Sequence, residues 1–206
     1  MNRYKTLAGE SRSEIRKKGS KFVGVGFSAS DLRAVQVRLE EIGDEFSDAT
    51  HLPFAWHIIV DGAGRANYDN DGEPSGTAGE PILNVIEGRN LYNVAVCVAR
   101  YFGGTELGTG GLVRAYGDAT REVLERGRII WRHRTESLQI SYPYHATGSV
   151  MALLDSFNIR LEEIHYGEGP VAHITVPRSQ TDKLKRQLAE ATSGEATVRK
   201  LDHDQG

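Results

Sequence analysis

Eight residues, Asn93-Val-Ala-Val-Cys-Val-Ala-Arg100, form a near-continuous apolar run. Such a run predicts a strand covered on both faces, because an exposed face would alternate with polar residues. It lies between two glycine-rich segments, Asp69 to Gly79 and Gly103 to Gly117, and Gly72 to Gly117 holds ten of the 23 glycines. Glycine inside regular structure costs roughly 0.5–1 kcal/mol against alanine. Clusters of it therefore mark tight turns, close backbone packing or a ligand lying against main chain, and these two loops are the candidate functional surface.

At 206 residues the chain suits one large domain or two small ones, and 39% hydrophobic with 26% charged residues is an ordinary globular composition. The formal net charge of -3 gives no whole-molecule attraction for nucleic acid or anionic membrane, so any such binding needs a local patch. The single cysteine, Cys97, excludes an intramolecular disulfide framework and sits in the apolar run as an expected buried, inert thiol. No apolar stretch approaches the ~18 residues of a membrane span, and the polar first twenty residues lack a signal-peptide core. The expected location is the cytoplasm, with no membrane partner.

Residues 12 to 27 read as a β-hairpin turning at Gly19-Ser20, with Val23, Val25 and Phe27 alternating with glycine. Its basic half supplies the RNA-contact candidates Arg16, Lys17, Lys18 and Lys21; the alternative is a solvated strand edge guarded by lysine. Ser30 is the expected N-cap of a helix carrying Leu32, Val35, Leu39 and Ile42 and closed by Gly43. Ala49 to Val60 reads as a strand, Asp61 to Asn70 as a polar loop, and Pro81, Ile82, Val85 and Ile86 as a helix capped by Ser75 or Thr77. A long helix opens at Gly108 to Gly111, with Leu112, Tyr116, Ala119 and Val123 on its apolar face. The arginine-rich stretch near Gly127 to Arg134 divides the chain into a domain at 1–128, a linker at 129–134 and a domain at 135–206. The second domain reads as βαββαβ, the ferredoxin-like order, with His165 and His173 as strand positions and a frayed tail from Asp202.

A glycine-rich loop opening a helix gathers unpaired N–H groups at the positive end of the helix dipole, which suits an anion. Leu107 to Leu112 has this form, yet it lacks both the P-loop ending and the dinucleotide spacing. Arg100 and Arg114 flank the loop and could clamp a phosphate; alternatively, Arg114 pairs with Asp118 and Arg100 with Asp71 or Glu73 in a closed network that binds nothing. Ser75, Thr77 and Thr109 are candidate nucleophiles without a base beside them in sequence. The alternate carboxylates Asp69, Asp71 and Glu73 lack the spacing of a calcium loop, and His51 and His57 match no zinc pattern. No metal and no cofactor is expected. The ligand or partner candidates are Asp71, Glu73, Ser75, Thr77, Arg100, Tyr101, Gly108, Gly110, Gly111 and Arg114.

Asp71-Gly-Glu-Pro-Ser-Gly-Thr-Ala-Gly79 with Pro81-Ile82 resembles the signature of the IMPACT family, in its bacterial, YigZ-like form. Ala99 to Gly104 and Leu107 to Gly117 resemble the second half of that signature, and Ser20-Lys21-Phe22 and Thr50-His51 its shorter elements. The resemblance implies an α+β fold in two parts. The first is a left-handed βαβ domain like domain IV of elongation factor G and the GHMP kinases; the second is a ferredoxin-like domain. It also implies a non-enzymatic binding or regulatory role linked to translation, with RNA, the ribosome or a translation-associated protein as partner and no sequence-specific DNA binding. Eukaryotic members carry an extra N-terminal partner-binding domain, which is expected to be absent because the first hairpin comes almost at the start of the chain. The alternatives are an enzyme binding a nucleotide or phosphate ligand on the glycine loops, by analogy to GHMP kinases, and a protein-interaction module.

Overall fold

The structure is a computed structural model that describes residues 2–60 and 62–201; the tail expected to fray lies outside them. The chain divides into two compact units, Tyr4–Arg132 and Met1–Arg3 with His133–Gly206. The first contains β1 (Arg3–Leu7, entering from the boundary), β2 (Ser11–Lys17), β3 (Ser20–Ser28), α1 (Leu32–Glu45), β4 (Phe54–Val60), β5 (Ala63–Asp69), α2 (Gly79–Gly88), β6 (Val94–Tyr101), α3 (Thr109–Arg126) and β7 (Ile129–His133). Its main sheet has the order β2-β3-β6-β4-β5.

The apolar run is β6, at the centre of that sheet and antiparallel to both β3 and β4. Val94, Val96 and Val98 point into one core with Ile82 and Ile86 of α2 and Leu112, Tyr116 and Val123 of α3. Ala95 and Cys97 point the other way, against Val35 and Ile42 of α1, Val25 and Phe27 of β3 and Ile58 of β4. Both faces of the strand are thus buried, the arrangement that a run without alternation requires. On β3, a Cβ at Gly24 or Gly26 would lie 2.3 or 2.5 Å from the Val123 side chain, so the missing side chains let α3 close on the sheet.

Several local expectations change. The N-cap of α1 is Asp31, whose carboxylate accepts the Ala34 N–H at 2.8 Å, while Ser30 donates to Asp31; the helix then runs through Gly43 to Glu45. Neither Ser75 nor Thr77 caps α2. Its start is held from a distance by Asn70, whose Oδ1 accepts the Gly79 N–H at 3.0 Å, and the Thr77 hydroxyl donates to the Pro74 carbonyl at 2.6 Å. Within the segment read as a loop, Ala63–Asp69 is the edge strand β5, exposed along its whole length; with no buried face it carries no hydrophobic alternation to betray it. Most of the expected linker is β7, which pairs with β1.

The second unit contains β8 (Thr135–Ser141), α4 (Thr147–Ser156), β9 (Leu161–Tyr166), β10 (Pro170–Pro177), α5 (Thr181–Ala191) and β11 (Thr197–Lys200). Its sheet order is β11-β8-β10-β9 and every pairing is antiparallel. This βαββαβ unit is ferredoxin-like, with Leu138, Ile140, Ala172, Ile174 and Val176 packed beneath Val150 and Leu154 of α4 and Leu184 and Leu188 of α5. Among the described residues, no helix is long and apolar enough to cross a membrane.

Burial pushes the Cys97 thiol up to about 12, and its Sγ–H points at the Val25 carbonyl at 3.6 Å. A thiol held protonated in a closed core is a poor nucleophile. Native protein is therefore expected to resist a thiol reagent at neutral pH and to react fully once unfolded in denaturant; rapid labelling of the folded chain would contradict the burial.

Candidate functional site

Arg100 emerges at the end of β6 with its side chain only 8% exposed, and Glu73 of the first glycine loop is 2% exposed beside it. The Arg100 Nη1 donates to Glu73 Oε1 at 2.6 Å, and the Tyr116 hydroxyl from α3 donates to the same oxygen at 2.6 Å. One carboxylate thus ties the first loop, the central strand and the long helix together. Burial, and then the adjacent Glu73 carboxylate, hold the Tyr116 phenol well above its ordinary range, so it stays a hydrogen-bond donor. The guanidinium also lies 5.9 Å from the Phe22 ring and 5.7 Å from the Phe102 ring, and Phe22 meets Tyr116 edge-on at 5.2 Å.

The surrounding segments are stitched by shorter links. Asp71, at φ 44, accepts the Leu52 N–H on its carboxylate at 2.6 Å, and its own N–H donates to Asp69 Oδ1 at 2.6 Å. Its carbonyl accepts from His51 Nδ1 at 2.6 Å; a carbonyl can only accept, so that ring nitrogen carries the proton. Thr50 Oγ1 accepts the Phe102 N–H at 3.1 Å, and Ser20 Oγ accepts the Gly103 N–H at 3.2 Å. A Cβ on Gly103 would sit 2.0 Å from the Gly19 carbonyl carbon. The hairpin turn and the second glycine loop are therefore in backbone contact that no side chain could share.

Of the candidates named from sequence, Asp71, Glu73 and Arg100 belong to this internal lattice, while Thr77 is buried in the first loop and bonds only to the Pro74 carbonyl among the described residues. Tyr101 lies at its edge, donating to Asp48 Oδ1 at 2.8 Å with Lys21 Nζ 4.0 Å from its ring centre. Gly108, at φ 70, is the N-cap of α3 and offers no side chain; the first turn, with Gly110 and Gly111, holds no acid. Arg114 is exposed, and its Nη1 would lie 3.7 Å from a Cβ on Gly110. It forms no ion pair among the described residues, because Asp118 is taken by Arg121 at 2.5 Å and Lys17 at 3.1 Å. Ser75 is exposed on the first loop. The three alternate carboxylates do not converge: Asp71 faces Leu52 and Glu73 is buried with Arg100. In the basic hairpin, Arg16 pairs with Glu14 at 3.1 Å and Lys17 with Asp118, while Lys18 stands exposed in the turn.

Sequence reasoning missed the part played by Tyr116, which reads as one more apolar position of α3. The signal was there in its hydroxyl: a tyrosine on a fully buried helix stripe needs a partner. It also missed a groove of about 650 Å³ between α1 and β4, lined by Leu32, Leu39, Phe46, Leu52, Phe54 and Trp56, with Glu40 and Asp71 as its charged residues.

Breaking a buried ion pair by removing one partner strands the other charge, at a cost of about 3–5 kcal/mol. Arg100→Gln and Glu73→Gln are each expected to lower unfolding free energy by about that amount in urea, and to be non-additive together. Arg114→Gln, on the exposed face, should stay within about 0.5 kcal/mol of wild type. Equal stabilities for all three variants would remove the lattice as a structural element.

Comparison with known proteins covers both units. The Impact N-terminal domain matches residues 18–124, and a domain of unknown function, DUF1949, matches residues 140–195. The chain is 31% identical to IMPACT family member YvyE of Bacillus subtilis over 97% of its length and 91% of that protein. It is 28% identical to IMPACT family member YigZ of Escherichia coli over 88% of both chains. A solved structure described as a hypothetical protein superposes with a TM-score of 0.77 at 25% identity, covering 99% of this chain and all of that one. With the first domain spanning over half of its length and a full-length relative at 31% identity, the chain belongs to the IMPACT family.

Proposed function

We infer that this protein is a non-enzymatic binding factor of the cytoplasm, linked to translation, whose glycine-loop face docks onto phosphate-bearing RNA of the ribosome. The observation that carries this reading is the bare start of α3: a glycine N-cap, no acid in the first turn, and the exposed Arg114, without an ion pair among the described residues, lying over it. Helix N-termini favour anions, and Lys18 on the adjoining hairpin turn adds a second exposed cation. The ionisable groups deeper in the loops, Glu73, Arg100 and Tyr116, are engaged with one another, which supports a preshaped docking surface rather than a reaction centre. The link to translation rests on the family resemblance.

Ribosome cosedimentation across about 50–200 mM salt tests the proposal, since phosphate contacts make log affinity fall linearly with log salt. Arg114→Gln and Lys18→Gln should each reduce the magnitude of that slope by about one. Binding indifferent to salt, or unchanged in both variants, would overturn it.

A second reading uses the groove. Its apolar lining and two carboxylates, Glu40 and Asp71, without a lysine or arginine among the described lining residues, suit an apolar segment of a translation factor carrying a basic side chain. Glu40→Lys should then abolish capture of that factor while leaving the ribosomal salt slope unchanged. Unaltered capture would exclude the groove.

A further inference from the structure

In the second unit, β9 and β10 bring three side chains with metal-binding atoms onto one face of the sheet. Glu163 stands opposite His173, and His165 lies two positions along β9. Ala172 and Ile174, the neighbours of His173, are both in the core beneath α4 and α5, so strand alternation places His173 on the other face. The ladder slips here: β9 steps from Glu163 to Leu161 while β10 advances only from His173 to Ile174, leaving Glu162 as an extra residue. Such bulges re-aim side chains and are enriched beside functional sites.

The Glu163 Oε2 lies 3.2 Å from His165 Nε2 and 3.8 Å from His173 Nδ1, and the three ligand atoms fall within 4.8 Å of one another. The two imidazoles meet edge-on with centres 5.4 Å apart. This is the one such group of three found among the described residues.

The geometry points to a divalent transition-metal site formed by Glu163, His165 and His173, taking zinc or a neighbouring late first-row ion. Two imidazoles and a carboxylate suit zinc, copper or nickel, whereas magnesium and calcium call for more oxygen ligands. In a tetrahedral zinc shell with bonds of about 2.0–2.1 Å, ligand atoms stand about 3.3 Å apart. Two of the separations here are 3.2 and 3.8 Å, and the third is no more than 4.8 Å. The competing state without metal is a carboxylate paired with imidazoles. Glu163 and His165 are 59% and 57% exposed, and pairs that open to solvent hold each other weakly. Three protein ligands leave one position for water or for a donor from another molecule.

The test is calorimetric titration of the full chain with Zn²⁺ alone, with Mg²⁺ as the hard-cation control. One Zn²⁺ should bind and Mg²⁺ should not compete. Because the chain has seven histidines, assignment rests on variants: His165→Ala or His173→Ala should weaken Zn²⁺ binding at least about tenfold, and the double variant should abolish this site, with the unfolding transition unchanged in the absence of metal. The same substitutions should remove imidazole nitrogen couplings from the spectrum of bound Cu²⁺. Zn²⁺ affinity equal in wild type and double variant, or no binding up to millimolar ion, would overturn the assignment.

Discussion

The arrangement of the first unit depends on one buried carboxylate. Glu73 brings a negative charge to a place 2% exposed, where leaving it unpaired would cost several kcal/mol. Two donors answer it, a guanidinium from the end of β6 and a phenol from the second turn of α3. Each donor comes from a different element, so satisfying the charge sets the distance between the first glycine loop, the central strand and the long helix. Replacing the set with apolar side chains of equal volume could give as stable a core; what the ion pair adds is direction, since hydrogen bonds to one oxygen fix angles that packing alone leaves open.

The glycines serve this same closeness. Gly103 lies against the backbone of Gly19, and Gly24 and Gly26 admit Val123 of α3 between them. Conformational freedom lost at these positions is offset by contact between main chains and by a helix seated directly on its sheet. The result is a surface whose outer groups, Arg114, Lys18, Ser75 and Phe102, stand on a base that is internally bonded. Binding to a preshaped surface loses less entropy than binding that must order a loop.

The two sheets treat their faces differently. In the first, α1 covers one side and α2 with α3 the other, which is why β6 has no polar alternation. In the second, α4 and α5 share one core, and the strands alternate accordingly. Residues of the opposite face, His165 and His173 among them, are released from core packing and can carry chemistry without disturbing the fold.

Much was legible in the chain itself. The unbroken run at β6, the apolar stripe of α3 and the βαββαβ alternation of the second unit follow from period and length, because burial demands them residue by residue. The long signature around Asp71–Gly79 and Arg100–Gly117 likewise marked the family. Two things were decided only in three dimensions. Edge strand β5 and strand β7 have few or no buried positions and so leave no pattern; pairing with a neighbour makes them strands. The partners of charge were legible only in part: the pairing of Arg100 with Glu73 stood among the alternatives, but Tyr116 meets Glu73 across 43 residues unannounced, and Asp118 lies with Lys17 and Arg121 rather than Arg114. Sequence spacing ranks neighbours along a helix, but a buried charge is answered by whichever donor the packed fold brings within hydrogen-bond reach, and only tertiary structure determines which that is.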